Sequence, residues 1–123
     1  MGAAQIIIQL LKSVHLSDWS WAHNSASGKV QQAHVNLLPA DLGFRVTFVF
    51  TEAGVTHTLA AERPFASDVS EVVLDGVTVP GGKLHVSHHL HLWPMRVEVE
   101  IDVDVPTPAT MSTGRFSFTS QVK

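Results

Sequence analysis

The chain has no cysteine and no tyrosine among its 123 residues. Without cysteine there is no disulfide, no thiolate metal site and no thiol nucleophile. Charge is sparse as well: charged side chains make up 15% of the sequence and the net charge is -3. The eight Lys and Arg (Lys12, Lys29, Arg45, Arg63, Lys83, Arg96, Arg115, Lys123) are scattered along the chain. Nucleic-acid binding relies on a concentrated basic patch to neutralise phosphates, so no nucleic-acid partner is expected. A bilayer-spanning run is lacking too. The apolar stretch from Ala3 to Leu11 is broken at Gln5 and Gln9 and no basic residue precedes it. It is far short of the roughly 20 residues a membrane helix needs, so it reads as a first strand and not as a signal peptide or transmembrane segment. The expected location is the cytoplasm, or the exterior by a non-classical route. Neither Asn24 nor Asn36 opens a glycosylation sequon. No G-x-S-x-G elbow occurs, and Pro80-Gly81-Gly82 leads into a strand instead of a phosphate-cradling helix.

What the chain does have is hydrophobic content, 45%, arranged with a period of two. From Gly43 to Thr51, Phe44, Val46, Phe48 and Phe50 take one face while Arg45, Thr47 and Thr51 take the other. From Met95 to Val105, Val97, Val99, Ile101, Val103 and Val105 form a second apolar row, and Arg115 to Val122 repeats the theme through Phe116 and Phe118. Further strands are expected at Gln5–Leu11, Val14–Ala22, Lys29–Leu38, Val55–Ala60, Glu71–Val79 and Lys83–Trp93. Turn chemistry separates them at Ser25-Ala26-Ser27-Gly28, Glu52-Ala53-Gly54, Asp75-Gly76, Pro80-Gly81-Gly82 and Pro106-Thr107-Pro108. Phe65–Glu71 could hold a helical turn, with Ser67 or Asp68 as a cap, but nothing longer. Residues 1–123 thus read as a single all-β domain, an antiparallel two-sheet β-sandwich of eight to nine short strands, with a small β-barrel as the alternative. A four-residue loop over Thr51–Gly54 would set Phe50 opposite Val55 and His57 opposite Phe48, making His57 a core histidine.

The segment from Lys83 to Asp104 is the unusual part. Alternation sends Lys83, His85, Ser87, His89 and His91 to one face, and Arg96, Glu98, Glu100, Asp102 and Asp104 share a face on the next strand. With Leu92 opposite Met95 the pairs are His91–Arg96, His89–Glu98, Ser87–Glu100, His85–Asp102 and Lys83–Asp104. A two-residue slip gives His91–Glu98, His89–Glu100 and His85–Asp104. A one-residue slip would bury the acidic row and is rejected. Carboxylates on alternate residues lie about 7 Å apart, given a rise of about 3.3 Å per residue, and repel unless donors flank them. The simplest role is a polar ladder, each cross-strand pair contributing on the order of 0.2–1 kcal/mol.

The same residues offer nitrogen and oxygen ligands for a divalent metal, zinc, nickel or copper. His89 and His91 with Glu98 or Glu100 form the best set, and His85 with Asp102 or Asp104 a second. No other cofactor is expected. Carboxylate neighbours would also make the ladder sensitive to pH near neutrality. Elsewhere, Trp19 and Trp21 share one face of a strand, where they would stack on a glycan or enter a membrane surface if exposed, and would fill a core or subunit interface otherwise. The function expected is a non-catalytic binding or structural module that forms a homo-oligomer to cover its sheet edges. A metal-dependent enzyme on the histidine face is the alternative.

Overall fold

The computed structural model describes residues 18–93, 95–106 and 113–121. Its ten strands are β1 (Ser20–His23), β2 (Ala26–Lys29), β3 (Gln32–Leu37), β4 (Gly43–Glu52), β5 (Val55–Pro64), β6 (Glu71–Leu74), β7 (Val77–Thr78), β8 (Lys83–Leu92), β9 (Met95–Val105) and β10 (Gly114–Gln121). They form two antiparallel sheets, ordered β2-β1-β10-β9-β8 and β3-β4-β5-β6-β7. Within the described residues the chain crosses between sheets twice, from β2 to β3 and from β7 to β8. The fold is the two-sheet sandwich, not a closed barrel. The strand expected at Gln5–Leu11 and the first residues of Val14–Ala22 lie outside the described residues, as does most of the Pro106–Pro108 turn.

The alternating rows meet face to face. Phe44, Val46, Phe48 and Phe50 of β4 and Ile101, Val103, Phe116 and Phe118 of β9 and β10 are all fully buried. Phe48 and Phe118 stack across the sheets with ring centroids 4.0 Å apart and planes 6° from parallel. Each such side chain removed from water contributes about 1.5–3 kcal/mol, so the aromatic rows dominate the core.

Tight turns correct two expectations. Glu52 pairs with Val55, leaving a two-residue loop in which Ala53 and Gly54 both have positive φ, 52° and 78°. Mirror-image turns of this kind follow the twist of the flanking strands better than a four-residue loop. Phe50 therefore faces His57, and Phe48 faces Leu59. The shift of two keeps His57 on the core side, where it is buried.

The second correction is β2. Ser25–Gly28, expected as a turn, supplies most of a strand, and the reversal sits at Asn24-Ser25, with Asn24 at φ 54°. Gly28 lies opposite Trp21, whose indole covers it so closely that a Cβ there would be 2.9 Å from Nε1. Likewise Asp75-Gly76 divides Glu71–Val79 into β6 and β7. No helix forms over Phe65–Glu71. Among the described residues the one 3₁₀ turn is at Pro39–Asp41.

Gly43, where β4 leaves that turn, is held against β5. A Cβ at this position would collide with the Arg63 carbonyl oxygen and lie 2.8 Å from the Pro64 Cα. Backbone on both sides leaves no room to yield. Gly43→Ala is expected to lower stability by about 2 kcal/mol, within the range for overpacking, as read by urea denaturation. A change below about 0.5 kcal/mol would show that the β4–β5 contact relaxes freely.

Candidate functional site

The β8–β9 hairpin adopts the register with Leu92 opposite Met95, placing His85 across from Asp102, Ser87 from Glu100, His89 from Glu98 and His91 from Arg96. The ion pairs nevertheless run on the diagonal. His85 Nε2 lies 3.6 Å from Asp104, His89 Nε2 3.7 Å from Glu100 and His91 Nε2 3.9 Å from Glu98. Strand twist tilts side chains toward one diagonal neighbour, so backbone register and charge pairing follow different partners. These separations exceed hydrogen-bond length, and the rings remain partly exposed, so each pair is worth at most about 1 kcal/mol.

The acidic row is flanked on its other side by β10. Arg115, Ser117, Thr119 and Gln121 face Asp104, Asp102, Glu100 and Glu98 in turn. The Arg115 Nε–H donates to Asp104 Oδ1 at 2.8 Å. Asp102, in the middle, is buried, and its Oδ1 has no hydrogen-bond partner among the described residues. The buried His91 Nε2 is likewise without one. Glu100 is held above the ordinary carboxylate range. Its hydrogen bond with Asp102 is the main cause, followed by burial and the repulsion of Asp102, against which His89 acts in the opposite sense.

Among the described residues no three His, Asp or Glu side chains gather as a ready metal-ligand set. Each of His85, His89 and His91 leans to a different carboxylate, and the strand spacing holds them apart. Trp19 and Trp21, the expected stacking pair, both face the core side. Trp21 is buried against Phe50, with ring centroids 5.2 Å apart, and the half-buried Trp19 packs on Phe48 at 5.3 Å. The exposed tryptophan is Trp93, at the hairpin tip, with 96% of its surface in solvent.

The tip also exposes the underside of the hairpin. Leu90, Leu92 and Met95 are 57%, 70% and 77% exposed, because β9 beyond Glu98 has β8 as its only described neighbour. β8 is the outer strand of its sheet among the described residues. Its base is covered: the Leu84 N–H donates to Ser70 Oγ at 3.1 Å, and the Leu84 carbonyl accepts from Arg63 Nη1 at 2.9 Å. Leu84 thus turns its backbone groups away from β9. Alternation turns those of Val86, His88, Leu90 and Leu92 the same way, onto an edge that no other described element covers.

No protein-family model, curated protein or solved structure matches the chain.

Two pairs of a buried histidine with a partly exposed carboxylate escaped the sequence pattern. His23 on β1 directs Nδ1 to both carboxylate oxygens of Glu52 on β4, at 2.9 Å, and Nε2 to the Thr113 carbonyl at 2.6 Å. Both ring nitrogens face acceptors, so the ring donates to both only when it carries two protons. Its plane stacks on Phe116 at 3.9 Å. His57 donates through Nδ1 to Asp75 Oδ2 at 2.6 Å, while Asp75 Oδ1 accepts from the Thr58 N–H. The partners are 29 and 18 residues apart and on different strands or turns, so only the histidines themselves signalled them.

Two predictions follow from these groups. Glutamine reproduces the protonated form of Glu100. A carboxyl raised on folding binds its proton more tightly in the folded state. The resulting stabilisation is present at low pH and is lost as pH rises from the ordinary carboxylate value through the raised one. Glu100→Gln is therefore expected to be more stable than the wild type by about 0.5 kcal/mol at about pH 7, allowing for solvent screening, and equal to it near pH 3.5. Thermal melts in metal-free buffer check this, and a difference independent of pH would refute it. Glu52→Ala leaves the buried His23 ring without its inter-sheet acceptor and is expected to cost about 2–3 kcal/mol in urea denaturation. A cost under about 0.5 kcal/mol would mean the bridge does not hold the sheets together.

Proposed function

We propose that this protein is a non-catalytic β-sandwich module that self-associates, with the β8–β9 hairpin as its contact element. The supporting observation is the uncovered β8 edge. Of the four outer strands among the described residues, β2 has four residues, β7 has two and β3 has six, whereas β8 has ten. Short edges are a common guard against unwanted pairing, as are proline, bulges and inward-facing charge. Along Lys83–Leu92 the register runs without a bulge and no proline interrupts it. An edge of this length, with exposed leucines beneath it, pairs with a further strand. A second copy of the chain supplies one with an identical apolar underside, and closed two-fold pairing is the commonest oligomer symmetry.

Sedimentation equilibrium up to about 100 μM protein, above the micromolar dissociation constants of weak interfaces, tests this. The wild type is expected to form dimers. Leu90→Lys, which puts a charge on the exposed underside, is expected to remain folded by circular dichroism and monomeric. A monomeric wild type, or a Leu90→Lys variant that dimerises equally well, would overturn the proposal. Sedimentation of the monomer with lipid vesicles would assign the exposed tip to a membrane surface instead.

A further inference from the structure

We infer that the two copies hold one divalent metal ion between them, on the two-fold axis of a β8–β8 dimer, through His89 of each copy with Glu100 as the carboxylate beside it. This rests on the self-association proposed above and specifies its register and ligand. The covered base fixes the register. Because Ser70 and Arg63 already occupy the Leu84 backbone, the edge open to a partner runs from Val86 to Leu92, and its midpoint is His89. Antiparallel pairing about that midpoint uses every open backbone group. Val86 faces Leu92 of the second copy, and His88 faces its Leu90, each as a hydrogen-bonded pair. Pairing about Val86 or His88 would instead push the second copy against Ser70 and Arg63 or leave the tip unpaired.

On the polar face this register sets His89 directly opposite His89 of the second copy. The pair falls at a non-hydrogen-bonded position, where facing Cα atoms are only about 4.5 Å apart and side chains approach most closely. Both rings are accessible, with 53% of the side chain exposed, and each has Glu100 Oε1 3.7 Å from its Nε2. The register thus brings two imidazoles together at the axis, each with the Glu100 carboxylate of its own β9 beside it. That nitrogen and oxygen set suits zinc, with copper or nickel as competitors. A single chain brings no three such groups together among its described residues, so the site is incomplete without the second copy.

Zinc chloride titrated into untagged protein, prepared without a metal column, tests the inference by sedimentation equilibrium and by elemental analysis of the dialysed protein. The expected result is one zinc per two chains and a dimer dissociation constant lowered at least about tenfold. His89→Gln should abolish the zinc response, whereas His85→Gln, outside the paired Val86–Leu92 segment, should leave both the zinc response and metal-free dimerisation unchanged. Dimers that neither bind nor respond to zinc would overturn the metal site and leave self-association standing. One zinc per chain on a monomer would overturn both. A zinc-strengthened dimer unaffected by His89→Gln would overturn the His89 assignment.

Discussion

Everything on the outer face of the first sheet follows from a single constraint: β9 carries four carboxylates on alternate residues while lying between two other strands. Its opposite side, Val99, Ile101, Val103 and Val105, is buried in the core, so the strand cannot rotate to give its acids more water. Repulsion along the row must then be met laterally. β8 answers with lysine and histidines, and β10 with Arg115, Ser117 and Thr119, so each acidic side chain has donors to its left and right. The compensation is incomplete in the middle, where Glu100 and Asp102 share a hydrogen bond between two acids. A carboxyl pair held this way gains from a proton, or from a cation in its place.

The same alternation explains why the hairpin carries both a polar ladder and an exposed apolar surface. A strand pair with one charged side has one apolar side throughout its length. The opposing sheet covers that side only at the hairpin base, where Leu84 is buried, and leaves Leu90, Leu92 and Met95 uncovered toward the tip. Shortening the hairpin would have removed the apolar exposure and with it His89 and His91. Retaining the polar ladder at full length therefore carries an exposed leucine row with it. The outward edge and the exposed leucines belong to one element.

How much of this was legible in the sequence depended on how local the determining contact was. Met95–Val105 and Gly43–Thr51 were readable because a period of two over nine or more residues has no other economical explanation. The polar face of the hairpin was readable for the same reason, since only even slips keep the valines buried. The diagonal ion pairs were not, because they depend on twist, a property of the sheet and not of the residue order. β2 was hidden because Ala26, Ser27 and Gly28 have little strand preference of their own. Their conformation is imposed by pairing with β1 and by the Trp21 indole that takes the place of a side chain on Gly28. The four-residue loop failed at Ala53, whose positive φ no alanine advertises.

The buried histidines show where the chemistry of this fold is already committed. His23 and His57 each have a carboxylate within hydrogen-bond distance and are closed off by the core, Phe116 stacking on one and Phe50 lying against the other. Both nitrogens of His23 and Nδ1 of His57 are occupied in holding strands and turns together. His85, His89 and His91 differ: their rings are at least partly exposed, their carboxylates stand at 3.6–3.9 Å, and the buried His91 Nε2 has no hydrogen-bond partner among the described residues. Donors held loosely on an open edge contribute little to the stability of one chain. The open Val86–Leu92 segment is symmetric about His89, and it is this symmetry that the proposed pairing with a second copy uses.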